Sequence, residues 1–550
     1  MTEYKMFFGS LLNNKTLNNK TMKRLPIIIS TVALLIGLAP LRLSAQNAYT
    51  AFSLADYQRE GTARSVAMGN AFTALGADMG AIAINPAASA VYKFNEFSFT
   101  PALNGFNTKT DYLGVKTPYN QNSLGFANVG GVINIPSASR GALKSYSFSF
   151  VYNKFNNFNH SIKAEAAGVD DSYLRHLAGI TNDLVDALEI EGYDLDKNAH
   201  QNPFWLGGAL WAPILAWNTS LLDTLGNSYT FYPTADCDAS AYRSFQQLTR
   251  TSAGSIGEYD VNFGMNLNDN FYIGLNLGLF TMWNKIKETY SEDNESPGLH
   301  DFNYLDQTYS LTTAGNGINL KLGFIFAPIQ NIRIGASIST PTWYSLTDKY
   351  WWSMNSNFEG YNAKVDSPDG TFDYKIKTPM QYSVGVAAVF PMGTISVDYE
   401  GSNLSQAKIS NRNGNEIGRD GDFSYDNNLI KDSFGASHQI RVGAEINPIR
   451  EFSIRGGFQY KKSGIDKSRS TSITKAVVGN ALENYVASVG LGYNSGTFFA
   501  DLACAMNVKK SKVPFFDFSD YAAEYVLSNP KFTTIERSNW KVLVTLGWRF

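Results

Sequence analysis

The feature that most constrains this chain is a period of two that recurs from Phe94 to the C-terminus. Tyr146, Phe148, Phe150 and Tyr152 alternate with Ser145, Ser147, Ser149 and Val151. Tyr259, Val261, Phe263, Met265 and Leu267 alternate with Asp260, Asn262, Gly264 and Asn266, and Ile273, Leu275, Leu277 and Leu279 alternate with Gly274, Asn276 and Gly278. Successive side chains of a strand point to opposite faces, so each segment carries one apolar, aromatic face and one small or polar face. The segments 94–105, 122–136, 143–163, 250–267, 270–290, 310–327, 331–352, 371–390, 394–409, 432–447, 451–464, 482–494, 497–510 and 534–550 read as strands.

What separates the strands discriminates between architectures. Short connections (137–142, 268–269, 328–330, 391–393, 448–450, 495–496) alternate with long ones near 106–121, 164–249, 291–309, 353–370, 410–431, 465–481 and 511–533. A soluble sandwich has no reason to sort its loops this way. A transmembrane barrel does, with tight turns on the periplasmic side and long loops outside. An open sheet edge is intolerable in lipid, so about fourteen antiparallel strands must close into a barrel. The fold class expected is therefore an all-β membrane protein, an antiparallel transmembrane β-barrel of about 14 strands.

Composition agrees. The chain has 550 residues, with 30 Tyr and 36 Phe, but only 17% charged residues. Its mean hydropathy of −0.20 is far below that of a membrane helical bundle. A barrel has this profile because only alternate residues meet lipid. A formal net charge of −2 leaves no footprint for nucleic acid. The two cysteines, Cys237 and Cys504, form no CxxC motif, and the five histidines form no HExxH pair. Neither a P-loop nor GxSxG is present. No catalytic residue, cofactor or metal site is expected, and the chain does not read as an enzyme. Residues 411–422 could hold Ca²⁺ through oxygens but read more simply as a polar extracellular loop.

Residues 22–45 read as an export signal: Met22-Lys23-Arg24, an apolar core from Pro26 to Leu41, and Leu43-Ser44-Ala45 for cleavage. A membrane anchor is the competing reading, but spanning needs about 20 apolar residues. Residues 1–21 read as an upstream extension, and the mature chain starts near Gln46. Export places it across the inner membrane of a Gram-negative-type cell.

The run 61–87 does not alternate. It is small, apolar and interrupted by Gly61, Gly69, Gly76 and Gly80, and it ends in Asn85-Pro86-Ala87. Repeated glycines break any long helix, which suits a compact plug. The Ala/Gly-rich segment Ala67–Ala83 with its closing Asn85-Pro86-Ala87 resembles the N-terminal hatch of FadL-type outer-membrane transporters of hydrophobic compounds. The strand count of about fourteen is similar to that family as well. The resemblance implies a hatch over 46–92 inside a barrel over 93–550, with Asn85, Pro86, Ala87, Gly69 and Gly76 as hatch or gating residues. It also implies uptake of molecules such as long-chain fatty acids by capture outside, movement into the lumen, hatch rearrangement and sideways exit into the membrane.

The small and polar parity lines the lumen and carries charges of both signs, among them Asp260, Lys321, Asp398, Glu400, Glu445, Asp501, Lys541 and Arg549. A salt-bridge network holding wall and hatch is one reading; an acidic ligand headgroup at Arg333, Arg441 or Arg455 is the other. Val151, Ile325, Phe499 and Leu543 fall on the same parity and suit a greasy path. In the long loop, Leu174, Leu177, Leu184 and Leu188 mark an amphipathic helix over 172–190. The apolar run after it contains Phe204, Trp205, Leu206, Leu210, Trp211 and Trp217. These either pack as a cap or, as the resemblance implies, form an extracellular groove for a hydrophobic ligand. The last strand alternates through Trp548 to a terminal Phe550, similar to the signal read by the outer-membrane assembly machinery. Partners expected are a hydrophobic small molecule, outer-membrane lipid and that machinery, with the protein a monomer. A FadL-like barrel acting as scaffold or shuttle in a secretion or surface-attachment apparatus is the alternative function.

Overall fold

A computed structural model describes residues 44–55, 57–138, 141–188, 192–198, 202–206, 211–224, 230–235, 237, 241–296, 301–414, 423–465, 483–514 and 532–550. The export signal and the upstream extension lie outside these residues, except for Ser44 and Ala45, which open helix α1 (Ser44–Ala55).

Fourteen strands form the wall: β1 (Glu96–Tyr112), β2 (Val115–Pro136), β3 (Leu143–Asn157, resumed as His160–Val169), β4 (Ser244–Leu267), β5 (Phe271–Asn294), β6 (Phe302–Ile329) and β7 (Ile332–Ser339, resumed as Trp343–Phe358). They continue as β8 (Gly370–Lys377, resumed as Gln381–Phe390), β9 (Gly393–Asn403, resumed as Lys408–Asn411), β10 (Ala436–Ile449), β11 (Phe452–Lys462), β12 (Glu483–Asn494), β13 (Phe498–Pro514) and β14 (Phe532–Arg549). Each pairs antiparallel with its sequence neighbours. β1 then pairs with β14, from Glu96 opposite Arg549 to Asp111 opposite Thr534, which closes the barrel and leaves no edge.

The alternation sorts as the sequence indicates. On β3, Phe148 and Phe150 are 49% and 58% exposed while Ser147 is fully buried. On β6, Ile318, Leu320, Leu322, Phe324 and Phe326 all face outward. That run matches the roughly 9–11 residues a tilted strand needs to cross a bilayer. Apolar side chains turned outward on every second residue are stable only against lipid, so the wall is a transmembrane one. Among the described residues no helix is long and apolar enough to cross a membrane. The tight turns fall where expected. Asn268 and Asp269, for example, both have positive φ (55° and 59°), the geometry of a two-residue hairpin.

Several expected loops differ, among them 291–309, which β5 enters up to Asn294 and β6 from Phe302. Residues 106–121 continue β1 and β2 as a hairpin up to Leu113-Gly114. Much of 353–370 is likewise a hairpin between the top of β7 and Tyr361–Asp366. Above the membrane both faces are polar, so the amphipathic signal disappears while the backbone ladder continues. The loop expected over 164–249 is bounded by β3 ending at Val169 and β4 starting at Ser244, and holds helices α4 (Tyr173–Leu188) and α5 (Trp211–Asn218).

Candidate functional site: a hatched lumen with a gap in its wall

Residues 57–92 fill the lower lumen. Two short helices, α2 (Ala63–Ala67) and α3 (Met79–Ile82), are capped by Thr62 and Asp78. Thr62 Oγ1 accepts from Ser65 N at 3.0 Å and donates to both Asp78 oxygens at 2.8 Å, which ties the two helix starts together. Burial pushes the Asp78 carboxyl above its ordinary range, with Arg64 and the Thr62 hydroxyl opposing. Gly69 and Gly76 have positive φ (60° and 71°), where a Cβ is strained. At Gly69 a Cβ would also stand 2.9 Å from the Phe458 backbone nitrogen.

Asn85, Pro86 and Ala87 sit at the junction of hatch and wall. Asn85 Nδ2 donates to Thr73 O (2.6 Å) and Phe324 O (3.0 Å), while its Oδ1 accepts from Ala87 N (3.0 Å). Pro86 opens the 3-10 turn Pro86–Val91, and its carbonyl accepts from Asn262 Nδ2 at 3.0 Å.

The wall receives this hatch on glycines and on paired charges. A Cβ at Gly274 or Gly323 would collide with Pro86 or Asn85, at Gly335 with Thr73, and at Gly443 with Met68. The charges reach backbone groups of the hatch: Asp398 accepts from Thr73 N (2.7 Å), Arg333 donates to Leu75 O (2.5 Å), and Lys321 donates to Ala83 O (2.9 Å) while also binding Glu258. Arg64 binds Glu445 at 3.1 Å. Burial alone lowers the Arg64 guanidinium, but the Glu445 carboxylate more than offsets this and holds it above its usual range. Glu445 also binds Arg455 (2.6 Å), which binds Asp501 (2.5 Å). Arg441 binds Glu400 at 2.5 Å, and the Tyr57 hydroxyl donates to the same carboxylate at 2.9 Å. Arg333, Arg441 and Arg455 thus all meet partners within wall and hatch. The apolar lumen positions do likewise. Val151 packs on the hatch core around Phe72, Ile325 on Ala87 and Ala90, and Leu543 on Val66, while the Arg549 guanidinium lies over the Phe499 ring.

Above the hatch the lumen is aromatic. Phe52, Leu54 and Tyr57 occupy a chamber lined by Phe155, Phe280, Tyr344 and Tyr374. Tyr57 stacks on Phe155 with 4.0 Å between centroids. Higher still, α4 and α5 form a cap with its own core. Phe204 and Trp211 are buried there in a T-shaped contact (5.8 Å), with Trp211 Nε1 donating to Phe204 O at 3.0 Å. Trp217 is half-buried against Phe231. Trp205 and Leu206 lie in a 3-10 turn, and Leu210 lies outside the described residues. At the opposite end, Trp548 faces outward against Phe498, and Phe550 is 74% exposed with its backbone bonded both ways to Asn95.

The wall is interrupted between β2 and β3, which strand periodicity did not reveal. β2 pairs with β3 only between Asn128–Pro136 and Ser145–Asn153; above Asn128, β2 pairs only with β1. β3 bends at Phe158-Asn159. Phe158 N donates to Gly254 O (2.9 Å), and Asn159 Oδ1 accepts from Gly254 N (2.8 Å), so the bend is fastened to β4. The resumed half of β3 leans across, with Thr108 Oγ1 donating to Ser161 O at 2.7 Å and closing the top. The outer mouth of the gap is a groove of about 950 Å³ lined by Phe126, Phe148, Phe150, Tyr152 and Tyr259. Its inner side is Lys154, which reaches the hatch residue Glu60 at 3.8 Å. The sequence signal for the bend is the Asn-rich stretch Asn156-Asn157-Phe158-Asn159 inside an otherwise alternating strand.

Fold and site together define a transmembrane β-barrel occluded from below by its own N-terminal segment. No family model and no curated protein matches the sequence. Among solved structures the chain is similar to the Pseudomonas putida toluene transporter TodX, with 11% identity over 89% of this chain and 99% of that one at a TM-score of 0.47. It is also similar to a Pseudomonas aeruginosa FadL homologue (11% identity, 90% and 99% covered, TM-score 0.49) and to the Ralstonia pickettii toluene transporter TbuX (12%, 89% and 99%, TM-score 0.41). At such identities the function has to be argued from the site itself.

Proposed function

We propose that this protein is an outer-membrane channel for uptake of hydrophobic small molecules, exported with a cleaved signal, inserted through its C-terminal Phe550 and working as a monomer. The observation that carries this reading is the gap between β2 and β3. It begins where β3 carries Lys154 and the chamber residue Phe155, and it faces an apolar groove on the lipid side, above a hatch that blocks the straight path. A hydrophobic solute entering at the half-buried Trp217 side of the cap moves down the aromatic chamber by displacing Phe52, Leu54 and Tyr57 as the hatch rearranges, and leaves sideways into the bilayer. Sideways exit keeps apolar surface out of water, worth about 0.8 kcal/mol per CH₂. Long-chain fatty acids are one class of solute that fits. The wall arginines serve to hold the hatch in this reading, since each already has a carboxylate or carbonyl partner. The scaffold alternative rests on an exposed apolar patch over 203–217 and finds less support, because Phe204 and Trp211 are buried in the cap.

Gly125 tests the gap. A Cβ there meets only the end of the Lys154 side chain, at 3.1 Å. Gly125→Ala is expected to leave uptake of a fluorescent hydrophobic probe into proteoliposomes unchanged. Gly125→Trp should cut it about tenfold, roughly 1.4 kcal/mol, in a barrel that still migrates as folded on unheated gels. Full uptake by folded Gly125→Trp would refute sideways exit here.

A further inference from the structure

The outer face of β5–β8 changes character above Trp283 and Trp343. Both are 48% exposed at the top of the apolar belt, where Leu279 and Ile318 also face out. Outward positions at and above this level include Lys285 and Lys287 on β5, Lys349 on β7, and Lys375 and Lys377 on β8, all exposed; the outward Asp293 and Asp306 stand higher, near the tops of β5 and β6. Register draws the lysines together. Lys285 and Lys349 flank Thr312 from either side, Lys375 stands opposite Ser345, and Lys377 stands opposite Trp343. Neighbouring strands are only about 4.8 Å apart, so the ammonium groups gather over a few strand widths.

Among the described residues none of these five lysines is in an ion pair. The nearest carboxylate on this face, Asp373, is taken by the Thr347 hydroxyl at 2.6 Å and Arg412 at 3.6 Å. Across the barrel the outward Lys510 is neutralised by Glu536 at 2.6 Å. The basic sector is therefore local to the tryptophan level, below the outward Asp293 and Asp306. Exposed tryptophans fix the membrane–water boundary. Lysine stems lie along apolar surface and lift their charge to headgroup level, where clustered basic side chains attract anionic lipid.

We propose that the outer face of β5–β8 binds the phosphate groups of a phosphorylated glycolipid of the outer leaflet. The glycolipid's acyl chains lie along the belt below Trp283 and Trp343. This site rests on the reading that the barrel stands in an outer membrane, but it is independent of what the lumen carries.

The test uses the full-length protein in detergent micelles doped with diphosphoryl lipid A, with retained lipid counted by native mass spectrometry. Wild type is compared with Lys285→Ala/Lys349→Ala/Lys375→Ala/Lys377→Ala and with the same four positions changed to Arg. Unheated-gel migration verifies that each barrel is folded. Wild type and the Arg variant should retain lipid A at least tenfold better than the Ala variant, and high salt or dephosphorylated lipid A should abolish the difference. Equal retention by folded wild-type and Ala proteins, or equal retention of dephosphorylated lipid A, overturns the proposal. Probe uptake by the Ala variant is expected to equal wild type. If wild type takes up no probe yet selectively retains lipid A, the channel reading fails and this site stands.

Discussion

At the residue scale, single side chains join hatch to wall. Asn85 does so with one amide that caps Ala87 and satisfies two carbonyls, Thr73 O within the hatch and Phe324 O in β6. Asn85→Ala leaves both carbonyls without this donor in a buried place, at a cost of about 1–3 kcal/mol. Hydrogen exchange of the hatch amides between Thr73 and Ala90 should quicken while the strand amides stay protected. Unchanged protection would mean that Asn85 does not hold the hatch. Sequence reasoning reached Asn85 through its motif and Arg333, Arg441 and Arg455 through parity. It did not reach their partners, because alternation says which face a residue occupies and nothing about what stands across the lumen. Arg455 binds residues ten and 46 positions away: strand register sets Glu445 opposite it in the β10–β11 hairpin, and Asp501 of β13 reaches it over Gly492 of β12.

At the scale of elements, the hatch and the strands are matched by size. Lumen-facing glycines such as Gly274, Gly335 and Gly443 stand where hatch backbone passes close to the wall, and a side chain there would occupy the space of Pro86, Thr73 or Met68. The small parity of the strands was plain in the sequence; its reason, a seat for residues 63–92, was not. The same holds for Val151, Ile325 and Leu543, which suited a greasy path on parity alone but pack against the hatch. Gly443→Val should push Met68 off β10 and loosen the plug. In planar bilayers this predicts intermittent openings that wild type lacks, and a silent Gly443→Val barrel would show that the seat is not tight. The bend in β3 was the least legible element, since residues 160–163 read as a straight continuation of the strand from 143, and 164–169 read as loop.

At the scale of the molecule, fourteen strands, outward apolar belt and tight lower turns were all legible, because lipid imposes one rule on every strand. The cap was partly legible through the stripe of α4, but whether Phe204 and Trp211 face in or out depends on tertiary packing. In the proposed function the barrel is closed to water and ions by its N-terminal segment while open to apolar solutes through its side. The most direct measurement is ion conductance in planar bilayers of the full-length protein and of a variant lacking residues 46–92. The proposed plug predicts near-zero conductance for the full protein and large, steady conductance for the variant, as expected of an unplugged barrel of this size. Equal conductance of the two would contradict it.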